Sequence, residues 1–546
     1  MLAERVYLPW TDMIAAMRAA RLPLYSLETR HPLAAFDILG FTLPYELLYT
    51  NVLEMLDLAG LPLRAADRDE RYPLVVAGGH ATFNPEPMAD FVDAFAIGDG
   101  EELVVELVRA YADVKDEPRE HQLRALAAVP GLYVPRLYRV EYRADGAVAR
   151  IEKALPEAAL PVRRRIVAEL PPAPTRLVVP TIDVAHNRGT IEIQRGCTRG
   201  CRFCQAGFTM RPVRERPLEQ VLKAVEEIVR CTGFEEIGLL SLSSSDYSQI
   251  GPLVSAIVER FREQHVSVSL PALRADSFSV GLADALGEGR HSGFTFAPEA
   301  ATERLRTIIN KPIPTEQVLE VAREVLERGW RTLKLYFMIG LPGETLEDVR
   351  AIAQLARAVR DVGRRSHGRR AQVNVSVNTF VPKPHTPLQW LPMAPEAEVS
   401  EKQALLRREL NRQGFKLDLG DRLAVLLEAV FARGDRRLGA VIEHAWRNGA
   451  RFDAWDEQRQ PSAWMAAFTT CGLDPAFYAY RERTLDEVLP WDVIDVGVSR
   501  RFLVAEVQRS RQPALLADCR ERCHACGILD AFGGLWAEGW CCPQPR

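Results

Sequence analysis

The sequence predicts an α/β protein: a partial (β/α)6 barrel, preceded by an incomplete doubly wound sheet and followed by a mainly helical domain. Three observations carry this. From about residue 188 to 395, six apolar strands alternate with helical stretches, the pattern of parallel strands with crossover helices. Up to residue 112, strands that end in glycine alternate with helices. After residue 396 strands fade and helical periodicity remains.

In chain order, residues 36–41 read as a strand and 43–58 as a helix. Residues 74–77 form a buried strand ending at Gly78-Gly79, and 94–97 form another, followed by Gly98-Asp99-Gly100 and a helix from Glu101. This is the grammar of an open sheet with ligand loops at its strand ends. Residues 113–182 carry Pro161, an arginine run at 163–165 and a proline cluster at 171–174, and read as a connecting region with some β structure. The barrel domain, 183–395, has its strands at 190–194, 236–242, 266–270, 293–297, 332–339 and 373–380. Leu218, Val221, Leu222, Val225, Ile228 and Val229 fall on one helical face. Thr345 and Asp348 have the spacing of a capping box. In such barrels the chemistry sits in the loops after the strands. The last domain, 396–546, has helical stretches at 401–411 and 422–431 and a cysteine-rich end.

The 546 residues suit several domains. Sixty-nine basic residues against 73 acidic ones leave a net charge of −4, which gives no general pull toward nucleic acid. Arg364, Arg365, Arg369 and Arg370 form a local basic run of the kind usually found on a solvated face. No apolar stretch approaches the roughly 18 residues needed to span a bilayer. The first ten residues lack the layout of a secretory signal, so a cytoplasmic protein is expected. The ten cysteines are clustered, as metal ligands are, and are not spaced as a disulfide framework. Cys231 and Cys471 stand alone and are expected to be buried apolar residues.

The first cluster, Cys197-Thr-Arg-Gly-Cys201-Arg-Phe-Cys204, directly follows the first barrel strand. Thiolates bind iron well, and three on one short loop hold three irons of a 4Fe–4S cubane. The fourth iron then has an open position, as a catalytic site requires. Gly196 and Gly200 let the backbone fold tightly around the cluster. Three cysteines with a distant fourth would instead make a zinc site; the position after a strand and the downstream segments favour the cubane.

This spacing, with the aromatic Phe203 before the last cysteine, resembles the radical S-adenosylmethionine (SAM) superfamily. Met338-Ile339-Gly340-Leu341-Pro342-Gly343-Glu344-Thr345 resembles the segment that packs against the adenine. Phe296-Ala-Pro-Glu299-Ala-Ala-Thr-Glu303-Arg-Leu-Arg306 resembles the stretch near the ribose and methionyl group. Val381-Pro-Lys-Pro-His385-Thr-Pro recurs in one branch, which joins the radical core to an N-terminal cobalamin-binding-like domain. Its mostly uncharacterised members resemble this chain from near residue 1 to near residue 527. The resemblance implies Phe203, Glu299, Ile339, Gly340 and Gly343 as cofactor-binding residues. The second strand ends in Ser241-Leu-Ser-Ser-Ser-Asp246 where Gly-Gly-Glu is usual; Ser243 and Asp246 are the candidate acceptors for the cofactor's amino group.

The same resemblance makes residues 1–112 a truncated Rossmann-like, cobalamin-binding-like domain in which Gly78 and Gly79 lie along the nucleotide tail. The chain has no Asp-x-His-x-x-Gly to ligate cobalt, and relatives carry a further strand and helix before the segment matching residues 3–10. A purely structural domain therefore stands beside cobalamin binding. Cys519-Arg-Glu-Arg-Cys523-His-Ala-Cys526 repeats the first spacing without a preceding strand. It reads as a second metal site, zinc or an auxiliary Fe–S cluster, which Cys541 or Cys542 would complete and to which His524 could contribute; a trio without metal is the third reading.

The expected function is reductive cleavage of SAM at a 4Fe–4S cluster to make a 5′-deoxyadenosyl radical, fed by a one-electron reductant such as flavodoxin or ferredoxin. The radical would serve methyl or methylthio transfer, or another modification, of RNA or a small molecule. No catalytic side chain for that later step is identified. A non-catalytic Fe–S binding or sensing protein on the retained fold is the alternative.

Overall fold

The computed structural model describes all residues except 1, 183, 185, 271–293, 412–413, 513, 538–539 and 543–546. The N-terminal sheet has strands Ile38–Thr42, Leu74–Gly78 and Ala94–Ala96 in parallel order, with Leu132–Tyr133 antiparallel at its edge. The central strand is buried on both faces, which is why it reads as an unbroken apolar run. Helices Tyr49–Leu58, Gly100–Ala112 and Arg119–Ala127 accompany the sheet. In the connecting region, Tyr138–Tyr142 and Val148–Lys153 form a hairpin, and Val162–Arg163 pairs with Ile494–Asp495 from the far end of the chain.

The barrel domain has two parallel sheets. One contains Ser267–Ser269, Glu236–Leu240 and Gly189–Glu192; the other contains Phe294–Glu299, Thr332–Ile339, Gln372–Thr379 and Lys416–Leu419. Residues 271–293 lie between them in sequence, so Gly293, the first residue of the expected fourth strand, is outside the described residues. In Thr332–Ile339 burial alternates: Leu333, Leu335, Phe337 and Ile339 are buried, whereas Lys334, Tyr336 and Met338 are partly open. That alternation separates a helix-covered face from an inner face.

Helix Leu346–His367 starts as its sequence dictates: Thr345 accepts from the Asp348 N–H while the Asp348 carboxylate accepts from the Thr345 N–H. Helix Leu218–Thr232 ends on Gly233 in the left-handed region. Cys231, in its last turn, is exposed and Cys471 partly so, which corrects the expectation of two buried cysteines. Cys231 sits on the flank of the buried stripe formed by Val221, Val225 and Ile228.

The C-terminal helices Arg422–Ala432, Leu438–Arg447, Pro461–Cys471 and Arg500–Arg511 share one apolar core with the N-terminal sheet. Buried polar ties fix the contact. The Asn84 amide donates to the carbonyls of Ala432 and Gly434, the Trp446 indole N–H to Glu54, and Thr50 to Asp453. Each satisfies a group that would be costly to bury unpaired. No helix among the described residues is long and apolar enough to cross a membrane.

Candidate functional site

The loop of the first cysteine cluster is set by its backbone. Gly196 has φ +89°, and a Cβ there would lie 2.6 Å from the Met210 carbonyl oxygen. At Gly200 a Cβ would lie 2.8 Å from the Leu516 side chain and 3.0 Å from the Asn310 amide. The Arg202 N–H donates to the Ile309 carbonyl at 2.9 Å, and the Asn310 amide donates to the Gly200 carbonyl at 3.1 Å. The buried Arg202 guanidinium donates to the carbonyls of Ile308 and Ala514 and pairs with Glu506 at 3.1 Å. The loop is therefore held by a turn a hundred residues later and a tail three hundred residues later.

Cys201 is buried, and Cys197 and Cys204 are partly covered. Burial, then the neighbouring thiols, push the Cys197 thiol up to about 12. Burial, then Cys201, push Cys204 up to about 11. Two thiols raised in this way in a covered loop are poor acids alone, and bound cationic iron removes that penalty. The donor set thus fits a cluster. Among the described residues no three His, Cys, Asp or Glu side chains gather round a single metal-ion position; a cubane takes its thiolates on separate irons and does not need such a gathering.

The strand ends complete the surroundings. Glu299 closes its strand after a register shift, at φ +66°, a conformation that costs a residue with a Cβ and is kept where the surroundings enforce it. Its carboxylate meets the Lys311 ammonium at 3.1 Å, and both groups act on the Cys204 thiol. Ile339 is fully buried in the core behind the strand, whereas Gly340 and Gly343 turn the chain at φ +80° and +70°. The Gly340 N–H donates to Glu344 at 2.6 Å, and Glu344 pairs with Lys402 at 2.7 Å, both side chains buried. Phe203 is half-buried against the main core.

Ser243 and Asp246 are drawn into a clasp. The Ser243 hydroxyl donates to Asp246 at 2.6 Å, and the Arg199 guanidinium approaches both carboxylate oxygens at 2.7 and 3.1 Å. Arg520 adds a bond at 3.3 Å. These donors fill the lone pairs of Asp246, so it joins the cysteine loop to the C-terminal tail.

The family model described as the radical SAM superfamily matches residues 191–356, across this loop and these strand ends. A second, for the N-terminal region of radical SAM proteins, matches residues 1–135. The chain belongs to the radical SAM superfamily. It is an enzyme of that superfamily, whose cofactors are a 4Fe–4S cluster and SAM, and it needs an external reductant and a substrate.

Among similar proteins, an uncharacterized protein of Methanocaldococcus jannaschii is 25% identical over 84% of this chain and 92% of its own length. An uncharacterized methyltransferase of Pyrococcus horikoshii is 25% identical over 59% of this chain and 64% of its own. A tRNA-2-methylthio-N(6)-dimethylallyladenosine synthase of Paracoccus denitrificans is 26% identical over 44% and 54%. The radical SAM methyltransferase TsrM of Kitasatospora setae, solved with cobalamin and a [4Fe-4S] cluster bound, superposes at a TM-score of 0.48. Its identity is 15%, over 84% of this chain and 91% of that one.

In this radical SAM protein the Gly78-Gly79 pair first serves the fold. Gly79 has φ +112°, and a Cβ there would lie 2.7 Å from the Leu43 carbonyl oxygen. The next residue, His80, interacts with Gln205, the neighbour of Cys204, and burial lowers its pKa to about 4. His385 is buried, with its ring against the Phe83 carbonyl at 2.9 Å. Lys383 is enclosed by Glu46 and Glu428 at 2.8 and 2.9 Å. His80 thus links the N-terminal strand end to the residue after Cys204, while Phe83 and Glu46 meet His385 and Lys383.

The second cysteine trio borders a separate cavity, joined there by Cys542, while the Cys541 sulfur lies 4.0 Å from Glu215. His524 holds the Ala517 carbonyl through its Nε2 at 3.0 Å.

Sequence reasoning missed Lys311, Arg199, Arg520 and Arg211. The sole local signal was Asn310-Lys311-Pro312, a helix exit that hands the lysine to Glu299.

Proposed function

We propose that Cys197, Cys201 and Cys204 hold the 4Fe–4S cluster and that Glu299, Lys311, Gly340 and Gly343 shape the adjoining SAM site. When bound, the reduced cluster supplies one electron that splits the carbon–sulfur bond of SAM, giving methionine and a 5′-deoxyadenosyl radical. The observation that carries this reading is the Glu299–Lys311 pair beside the Cys204 thiol at a strand end. A carboxylate and an ammonium there complement the amino and carboxylate groups of a bound amino acid. Gly340 and Gly343 expose backbone where a flat ring can approach. The Glu344–Lys402 pair holds that turn from behind, and the Asp246 clasp keeps Arg199 and the cysteine loop in register. Ser243 acts through that clasp.

The reaction that follows is a methyl or methylthio transfer to RNA or a small molecule, supported by the activities named for the Pyrococcus and Paracoccus relatives. We place the enzyme in the cytoplasm, with a flavodoxin or ferredoxin as one-electron donor. At the Gly78-Gly79 loop cobalamin binds weakly or not at all, because no histidine motif is there to ligate it.

Anaerobic, reduced protein incubated with SAM tests the reading. Slow release of 5′-deoxyadenosine is expected, faster with the RNA or small-molecule fraction that contains the substrate. Fully clustered protein that binds SAM yet yields none above the Cys201→Ala background, with either fraction, would favour the non-catalytic alternative.

A further inference from the structure

The C-terminal tail encloses a cavity of about 170 Å³ bordered by Cys519, Cys523, Cys526 and Cys542. We propose that these four thiolates hold a second 4Fe–4S cluster, beside the Cys197 loop and paired with the buried Arg211. The site uses residues outside the SAM-cleaving reading and stands or falls without it.

Three independent observations carry it. The first is the cavity. A zinc ion draws four sulfurs to about 2.3 Å of one point and leaves no room among them. Here the four cysteines surround a void, and no three of the described metal-binding side chains converge on one ion position. A cubane fills such a void, with one thiolate on each iron.

The second is Arg211. It is fully buried, stacked on Phe208 at 4.7 Å and beside Phe502 at 5.9 Å. Its Nε donates to the Gly207 carbonyl at 2.9 Å and its Nη2 to the Arg199 carbonyl at 3.3 Å. Among the described residues no carboxylate pairs with it, and its Nη1 has no oxygen or nitrogen partner. Its electrostatic neighbours are the thiols of Cys519 and Cys526, with Cys197 beyond. A buried guanidinium needs a compensating negative charge. A cubane with four thiolates carries one, and neutral thiols do not.

The third is the tail's construction. The Cys519 N–H donates to the Thr198 carbonyl at 3.2 Å, and the Thr198 hydroxyl to Asp518 at 2.8 Å, so the two cysteine loops share a wall. Gly527, at φ +104°, lets the Cys526 carbonyl accept from the Ser499 N–H at 2.8 Å; a Cβ at 527 would lie 2.8 Å from the Gly497 carbonyl oxygen. The Cys541 N–H donates to the Val213 carbonyl at 3.0 Å, and the Trp536 indole to the Cys542 carbonyl at 3.3 Å, which turns Cys542 toward the cavity and leaves Cys541 toward Glu215. His524 is engaged at Nε2 by Ala517.

The test is metal content of the full-length chain purified anaerobically, with iron, sulfide and zinc measured together and electron paramagnetic resonance recorded after reduction. About eight irons per chain are expected, and about four in a Cys197→Ala, Cys201→Ala, Cys204→Ala variant that keeps a cubane signal. Cys523→Ala with Cys542→Ala should fall to about four, while Cys541→Ala stays near eight. One zinc per chain in the first-cluster variant, or an iron-free and signal-free first-cluster variant, overturns the proposal. The wild-type count guards against variants that misfold: about four irons there that persist in the Cys523→Ala, Cys542→Ala variant overturn it equally.

Discussion

The loops at 197–204 and 519–526 carry the same cysteine spacing and sit against one another, yet they belong to different kinds of backbone. The first leaves a barrel strand, and its Cys204 thiol feels a strand end carrying Glu299 and a turn carrying Lys311. The second lies between helix Arg500–Arg511 and the short helix Ile528–Phe532, with no strand leading into it among the described residues. It finds a fourth cysteine, where the first finds an ion pair. Spacing therefore sets what can be bound, and the element that delivers the loop sets whether the bound group is left open for chemistry.

The largest expected difference is in SAM cleavage. Cys201→Ala should abolish 5′-deoxyadenosine formation and the ~400 nm absorption of that site. Cys523→Ala should leave SAM bound with unchanged affinity, as read by equilibrium dialysis. Equal loss of cleavage in both variants would still separate them if SAM affinity falls only in the first.

Next comes the ion pair that only the first site has. Lys311→Met leaves Glu299 partnerless in a largely buried place, and SAM affinity should drop about tenfold, which is about 1.4 kcal/mol. The C-terminal iron should be unaffected. Gly340→Val should act through shape. The left-handed backbone and the Ala394 methyl group 3.0 Å from the new Cβ predict about 1–3 kcal/mol of lost stability by denaturant melts. An undiminished melting midpoint would mean that the turn relaxes.

Arg520→Ala probes the shared wall. Arg520 binds Asp518 and Asp246 but is partly exposed, so the cost should be no more than about 1 kcal/mol. Both clusters should load normally. The smallest effect is expected from hydroxocobalamin. Dialysis should show no stoichiometric complex of micromolar affinity, because Gly79 is committed to the Leu43 backbone and no histidine motif follows.

What could be read in advance was local. The capping box at Thr345 and Asp348 involves neighbours, so sequence alone exposes it. The strand Thr332–Ile339 was legible to the residue because burial on one face gives it a clean alternation. Strand Lys416–Leu419 was not, because its four residues alternate charged and apolar between two helices and gain their pairing only from Gln372–Thr379. Glu299 stood in a recognisable segment, whereas Lys311 lay twelve residues on, past a helix. Asp246 reads as the end of the second strand, whereas that strand closes at Leu240 and Asp246 lies in the turn beyond; its engagement by Arg520 depends on a tail 270 residues away. Cys541 and Cys542 are adjacent letters, and only the anchoring of their backbone to Val213 and Trp536 separates their directions.

The wall that Thr198 and Gly200 share with residues 514–519 fixes an order of assembly during synthesis. A ribosome completes the three thiols of the first loop more than three hundred residues before it makes Ala514, Leu516 and Asp518. Until then the loop lacks the cover that Leu516 and Asp518 supply. A transcript truncated just before residue 514 would encode every ligand of the first cluster and neither the Leu516 side chain against Gly200 nor the carboxylate that Thr198 binds.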